Sequence, residues 1–250
     1  MAGIQSVSIL IASYNTSPSF VDECLSSIQE QQGTFLMELV WINDGSDEEH
    51  TKHLENALSK FRPNMDFQVK YKKNDKNRGL SSSLHDGVLF CSNELIFRMD
   101  SDDIMLPTRI QKQLDFMTKT KSCMMCGTNM YSFIESANGQ KTRVDESRHP
   151  FLLTWNEYKK HKKSWILNHP TLCFRKSAVL EVGNYTKDFP WPFEDLDLEL
   201  RILKLYGNVC TLPDILLYYR IHNNQITQLN KGNHEITKKR DEYIENMVKN

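Results

Sequence analysis

The stretch Val7-Ser8-Ile9-Leu10-Ile11-Ala12 is apolar at all but one position, and this near-continuity constrains the fold more than any other feature of the chain. A strand with one wet face alternates polar and apolar residues. An unbroken run asks for cover on both faces, the situation of a parallel sheet held between two layers of helices. The pattern returns at Met37-Glu38-Leu39-Val40-Trp41-Ile42 and at Leu95-Ile96-Phe97, and the alternating Phe67-Gln68-Val69-Lys70-Tyr71 reads as a further strand. Between the runs, Val21, Cys24, Leu25 and Ile28 recur at helical spacing behind the cap and first-turn signal Ser17-Pro18. Leu54, Ala57, Leu58 and Phe61 share one side of a second helix, and Leu80, Leu84 and Val88 mark a third. This βαβαβαβ alternation predicts an α/β fold with a mostly parallel central sheet, flanking helices and right-handed crossovers.

In open α/β sheets ligands bind at the carboxyl ends of the strands. The residues expected there are Ser13-Tyr14-Asn15, Asn43-Asp44-Gly45-Ser46, residues 72–79 and Asp100-Ser101-Asp102-Asp103. The last of these packs three carboxylates into four positions. Such crowding is unfavourable unless a cation or a set of donors offsets it, which makes a hard divalent metal the natural occupant. Mg²⁺ or Mn²⁺ held by one or two carboxylates is the usual bridge to a substrate pyrophosphate. The alternative is a solvated acidic turn that caps a helix opening near Leu106-Pro107, with Asp103 or Ser101 accepting backbone N–H bonds.

Charge and length narrow the field. The 250 residues suit one large α/β domain or two small ones, and 31 Lys+Arg against 32 Asp+Glu give a net charge of −1. That balance implies neither a nucleic-acid groove nor a membrane surface, so any anion site is local. The N-terminus passes straight into the first apolar run without a basic region or a cleavage site, and no stretch is long enough to span a bilayer. Cys24, Cys91, Cys123, Cys126, Cys173 and Cys210 lack framework spacing and read as reduced core residues, so a cytoplasmic protein is expected. The sequons at Asn15 and Asn184 are then accidental. Cys123-Met124-Met125-Cys126 has no second ligand pair for zinc and lies in an apolar strand, which favours packing.

Beyond Pro107, Ile110, Leu114 and Met117 predict another helix, and residues 131–134, the Asn138-Gly139 turn and residues 141–144 a hairpin. A less regular region holds Trp155, Trp165 and His169-Pro170; Leu196, Leu200 and Leu203 then lie on one helical face behind Phe193-Glu194-Asp195. From Gln228 the chain is polar, yet Ile236, Tyr243, Ile244, Met247 and Val248 fit one last amphipathic helix.

Taken in order, the segments Ser8-Ile9-Leu10-Ile11-Ala12-Ser13-Tyr14-Asn15, Ile42-Asn43-Asp44-Gly45-Ser46, Asn77-Arg78-Gly79-Leu80, Arg98-Met99-Asp100-Ser101-Asp102-Asp103, Glu194-Asp195-Leu196-Asp197-Leu198 and Tyr219-Arg220-Ile221-His222 resemble the family 2 glycosyltransferases. Each piece is weak alone; their order over residues 7 to about 227 is specific. The resemblance implies a GT-A fold, Rossmann-like, with a nucleotide-sugar-binding half (1–106), a smaller acceptor and catalytic half (107–227) and a polar helical tail (228–250). It also implies inverting transfer of a sugar from a nucleotide-diphosphate sugar, most simply a UDP-sugar, to a hydroxyl of a glycan or glycoconjugate. Mn²⁺ or Mg²⁺ is the implied cofactor, and self-association stays open.

Carried over residue by residue, the resemblance places Tyr14 near the base and Asp44 on the base or its ribose, with Ala12 and Asn15 beside them. Asp100 would meet the ribose, flanked by Arg98 and Ser101, while Asp102 and a late His222 would hold the metal. Asn77, Arg78 and Gly79 open a helix, where N–H groups and Arg78 face an anion; Leu84 and His85 beyond them depart from the family pattern. Asp195 would be the general base, with Glu194, Trp191 and His169 on the acceptor side. Ordinary structural roles compete at several of these positions: an Asx-turn for Asp44, a core aromatic for Tyr14, a helix cap for Glu194 and Asp195, and a plain surface or core residue for His222. Two other functions remain open, a non-catalytic carbohydrate-binding relative and a sugar-nucleotidyltransferase. The latter ordinarily carries a Gly-rich basic loop where Ser13-Tyr14-Asn15-Thr16-Ser17-Pro18 stands here.

Overall fold

The computed structural model describes residues 4–63 and 66–249. Strands β1 (Gln5–Ser13), β2 (Phe35–Asn43), β3 (Phe67–Lys73) and β4 (Leu95–Asp100) alternate with helices α1 (Pro18–Gln29), α2 (Glu48–Lys60) and α3 (Leu80–Phe90). A two-residue strand β5 (Ile104–Met105) precedes α4 (Arg109–Lys119), which opens at Thr108 rather than at Leu106-Pro107. Then follow β6 (Met125–Glu135), β7 (Lys141–Glu146), β8 (Leu152–Thr154), α5 (Trp155–His161), β9 (Cys173–Arg175), α6 (Lys176–Glu181), α7 (Glu194–Tyr206), β10 (Asn208–Ile221), α8 (Ile226–Leu229) and α9 (His234–Lys249).

The strands form one sheet in the order β3-β2-β1-β4-β9-β6-β10-β5, with β7 on β6 and β8 on β10. β3, β2, β1 and β4 are mutually parallel, as expected for the α/β class, and β6 runs parallel to β10. β9 is the element that the sequence does not announce: three residues, antiparallel to both β4 and β6, joining the two parallel blocks.

The unbroken apolar run of β1 has its reason in burial on both sides. Val7, Ile9 and Ile11 face a core built with Val21, Leu25 and Ile28 of α1, Leu54 and Leu58 of α2, and Ile110 and Leu114 of α4. Leu10 and Ala12 face the other core, with Leu84 and Val88 of α3, Leu196, Leu200 and Leu203 of α7, and Ile244 of α9. Gly87 lets α3 approach closely, because a Cβ there would meet Leu10 Cδ1 at 2.4 Å. The predicted hairpin forms from β6 and β7. The final amphipathic helix forms as α9 and packs Ile236, Tyr243, Ile244, Met247 and Val248 on the second core. All six cysteines are free and buried. No helix among the described residues is long and apolar enough to cross a membrane.

Candidate active site

A cleft of about 1060 Å³ opens at the carboxyl ends of β1, β2 and β4. Ala12, Tyr14, Asn15, Asp44, Asn77, Gly79, Arg98, Asp100, Ser101, Asp102, His169, Glu194, Asp195 and His222 all line it. Its base is set by strand register: Ala12 pairs with Asp100 across β1 and β4, and Ser13 with Asn43 across β1 and β2.

Tyr14 is 51% exposed and points into the cleft, so it is no core aromatic. Asn15 takes a left-handed φ of 48°, donates its N–H to Ser46 Oγ and accepts from Asp47 N–H through Oδ1, which ties the first turn to the second. In that second turn Asn43 Oδ1, not Asp44, accepts the Ser46 N–H at 2.9 Å. Asp44 is buried and its Oδ1 accepts from Asn74 Nδ2 at 2.8 Å and from Arg78 N–H at 3.0 Å. The Asx-turn role thus belongs to its neighbour.

One arginine differs from the sequence expectation, and another stands where it was expected. The Arg78 side chain is not aimed at an anion site; it pairs with Asp86 at 2.9 Å and stands outside the cleft lining, contributing only its N–H to Asp44. Asp86 draws it there, and Lys72 and Lys187 join the same carboxylate, holding it well below the usual carboxylate range despite partial burial. Arg98 is buried and grips Asp100 with both Nη atoms, at 2.9 and 2.5 Å. Arg109, also buried, donates to the Arg98 carbonyl at 2.7 Å. The two arginines therefore brace the acidic turn from below. Trp191 packs on the second core and is not part of the cleft lining, unlike Pro192 and Phe193 after it.

The acidic turn is a true cluster. Oxygens of Asp100, Asp102 and Asp103 lie within 4.8 Å of one another. Burial raises Asp100, against the pull of Arg98, and raises Asp103 well above the ordinary range, with Asp102 and Asp100 adding to the effect. Asp103 does not cap α4. Its Oδ1 accepts the Arg220 N–H at 2.9 Å, while its buried Oδ2 has no hydrogen-bond partner. His222 Nε2 lies 2.8 Å from Asp102 Oδ2. Three clustered carboxylates, one of them with an orphaned buried oxygen, suit a divalent cation, and His222 stands beside Asp102 at their edge.

Arg220 is the residue that sequence reasoning passed over. It is buried, donates Nε to the Asp102 carbonyl at 2.9 Å, pairs with Glu23 and Glu135, and stacks between Phe20 and Phe133. It latches the end of β10 onto the acidic turn and so delivers His222. The signal was its place two residues before His222, together with an acidic turn whose three carboxylates have only Arg98 as a counterion in their own stretch of sequence.

Across the cleft, Glu194 and Asp195 occupy the first turn of α7, whose N-cap is Phe193. Burial outweighs the helix-end N–H groups: it raises Asp195, even though Asp195 Oδ1 accepts the Leu196 N–H at 2.7 Å, and with Asp195 it pushes Glu194 up to about 8. His169 is buried against the Tyr185 hydroxyl at 2.9 Å, and burial holds it well below the usual imidazole range, hence neutral. Trp165, half exposed, joins the lining on this side.

Known proteins resemble this chain in sequence and in fold. The amylovoran biosynthesis glycosyltransferase AmsE of Erwinia amylovora is 29% identical over 222 residues, covering 88% of this chain and 78% of that protein. Staphylococcus aureus TarS 1–349 in complex with UDP-GlcNAc superposes with a TM-score of 0.68 at 16% identity, covering 88% of this chain and 60% of that one. The mannosyltransferase PcManGT of Pyrobaculum calidifontis, in complex with GDP-Man and Mn²⁺, gives a TM-score of 0.66 at 14% identity over 92% of this chain and 61% of that one. The chain thus spans about 60% of the length of these structural neighbours. The sequence pattern described as "Glycosyl transferase family 2" matches residues 8–181, more than half of the chain, and the protein belongs to that family.

Proposed function

We propose that this glycosyltransferase moves a sugar from a UDP-sugar to a hydroxyl of a glycan or glycoconjugate, with divalent metal dependence and inversion at the anomeric carbon. One observation carries the reading: an acidic, histidine-bearing cluster and a carboxylate of raised pKa line the same cleft. Two neighbouring structures support it, TarS with UDP-GlcNAc for the donor and PcManGT with Mn²⁺ for the metal.

In this reading Tyr14 and Asp44 hold the nucleoside, Asp44 through its cleft-facing carboxylate, and Asp100, fixed by Arg98, meets the ribose. Asp102 and His222 would hold Mn²⁺ or Mg²⁺, with the unpartnered Asp103 oxygen behind them. When bound, the cation offsets the negative charge that develops on the departing diphosphate. Asp195 accepts the proton of the acceptor hydroxyl as that oxygen attacks the anomeric carbon from the face opposite the leaving nucleotide. A carboxylate raised toward working pH is a better base than an ordinary one. Glu194, protonated at neutral pH, can donate to a sugar hydroxyl and adds no second negative charge beside the base. His169 and Trp165 line the acceptor side.

Calorimetric titration of UDP with Mn²⁺ into wild type and Asp102→Asn is the test. Wild type should bind only with metal present, and the variant should lose that binding while keeping its melting temperature. Unchanged affinity in Asp102→Asn would remove the metal assignment.

A further inference from the structure

The acceptor side of the molecule carries a charge concentration for which sugar transfer has no use. From Trp155 to Trp165 the sequence holds four lysines and one glutamate, in a chain whose net charge is −1. Glu157 is spent in the capping box of α5, and Glu245 of α9 pairs with Lys162 at 2.6 Å. Lys159, Lys160 and Lys163 are exposed and have no ion-pair partner among the described residues. At the end of α5, Lys162 takes a left-handed φ of 47°, and the chain turns there so that Ser164 and Trp165 reach the cleft.

Apolar side chains border the cleft mouth that Trp165, close behind Lys163 in sequence, reaches. Trp165 is 50% exposed, Ile226 50% and Leu229 70%, and all three line the cleft together with Arg240. Arg240 has an acidic neighbour, Asp241, at 3.3 Å. Exposed aromatic and aliphatic tips beside unpaired lysines match a surface that lies on an anionic bilayer, the tips entering the headgroup layer and the lysines meeting lipid phosphates. Protein interfaces are depleted in lysine, so a protein partner fits this face less well.

We propose that Lys159, Lys160 and Lys163, with Trp165, Ile226 and Leu229, dock the enzyme on an anionic phospholipid surface and set the cleft mouth against the bilayer. The overall charge balance hides this face, because the lysines are concentrated locally. An enzyme seated this way takes its acceptor from the membrane plane.

Co-sedimentation of the full chain with phosphatidylglycerol-containing vesicles and with pure phosphatidylcholine vesicles tests the proposal without reading turnover, so its failure leaves the transfer reaction untouched. Binding should require phosphatidylglycerol and weaken with salt. The triple variant Lys159→Gln, Lys160→Gln, Lys163→Gln should lose roughly tenfold or more in partitioning at an unchanged melting temperature. Brominated lipid should quench tryptophan fluorescence in the wild type and less so in Trp165→Phe. Absence of binding at low salt, equal binding to neutral vesicles, or a triple variant that binds like wild type would overturn the proposal. A salt-sensitive dimer without vesicle binding would assign the face to a second copy of the chain instead.

Discussion

In the proposed mechanism, Asp195 is the carboxylate that takes up the acceptor's proton. Its position in the first turn of α7 offers helix-end N–H groups that favour the anion, yet burial wins and its pKa lies above the ordinary value. Replacing it with Asn keeps the shape and the hydrogen bond to Leu196 while removing the base. Asp195→Asn should therefore retain donor and metal affinity and lose transfer by at least ~10²-fold, measured as nucleotide release with a working acceptor. A purely structural Asp195 predicts near-normal turnover, since Asn also serves well at helix starts. NMR of the product adds a check on the single displacement, which requires an inverted anomeric centre. The pH profile follows from the same shift. A raised pKa means that the active anion is lost earlier as pH falls, so the acid limb of kcat/KM should lie above the usual aspartate range. An acid limb at the ordinary value would detach catalysis from this residue. Glu194, pushed up to about 8, keeps its proton through neutrality and loses it on the alkaline side.

The turns between elements show which parts of the site were legible in advance. The β2–α2 turn needs Gly45: its φ is +74°, and a Cβ would meet the Lys76 carbonyl carbon at 2.3 Å and the Asn77 nitrogen at 2.6 Å. Those atoms are backbone and cannot swing away. Gly45→Ala should cost about 1–3 kcal/mol in denaturant unfolding and also weaken donor binding, because the displaced 76–78 segment holds Asp44. Strands and turns of this N-terminal half could be read from sequence because periodicity and turn chemistry act over a few residues. The Arg78 side chain could not. Its partner Asp86 lies eight positions on, one acid among many in a linear reading, and only the folded α3 brings Lys72, Lys187 and Arg78 onto it. β9 was equally hidden, since three residues carry no period; its strand character comes from the edges of β4 and β6 on either side. The start of α4 was misplaced by two residues because a two-residue strand, β5, takes up 104–105 in pairing with β10.

At the scale of the whole molecule, the last helix is bound into the body of the protein. The polar segment after residue 227 was legible as amphipathic, but its docking place was not, because the receiving surface is assembled from α7, the loop before it and the end of α5, all distant in sequence. Ile244 is 3% exposed there, and Tyr243 bonds to Asp197 of α7. Ile244→Ala should lower unfolding free energy by about 2–5 kcal/mol, read by urea titration, whereas a merely appended helix would give no change. The acidic turn depends on the far end of the chain in the same way. Asp103 waits for the Arg220 N–H across 117 positions, and Asp102 for His222 across 120. On the ribosome, β1 to β4 can assemble as parallel strands while three crowded carboxylates still lack their latch. The turn reaches its final form only after residue 222 has left the exit tunnel, so a segment made long after the strands it meets is what completes the corner they frame.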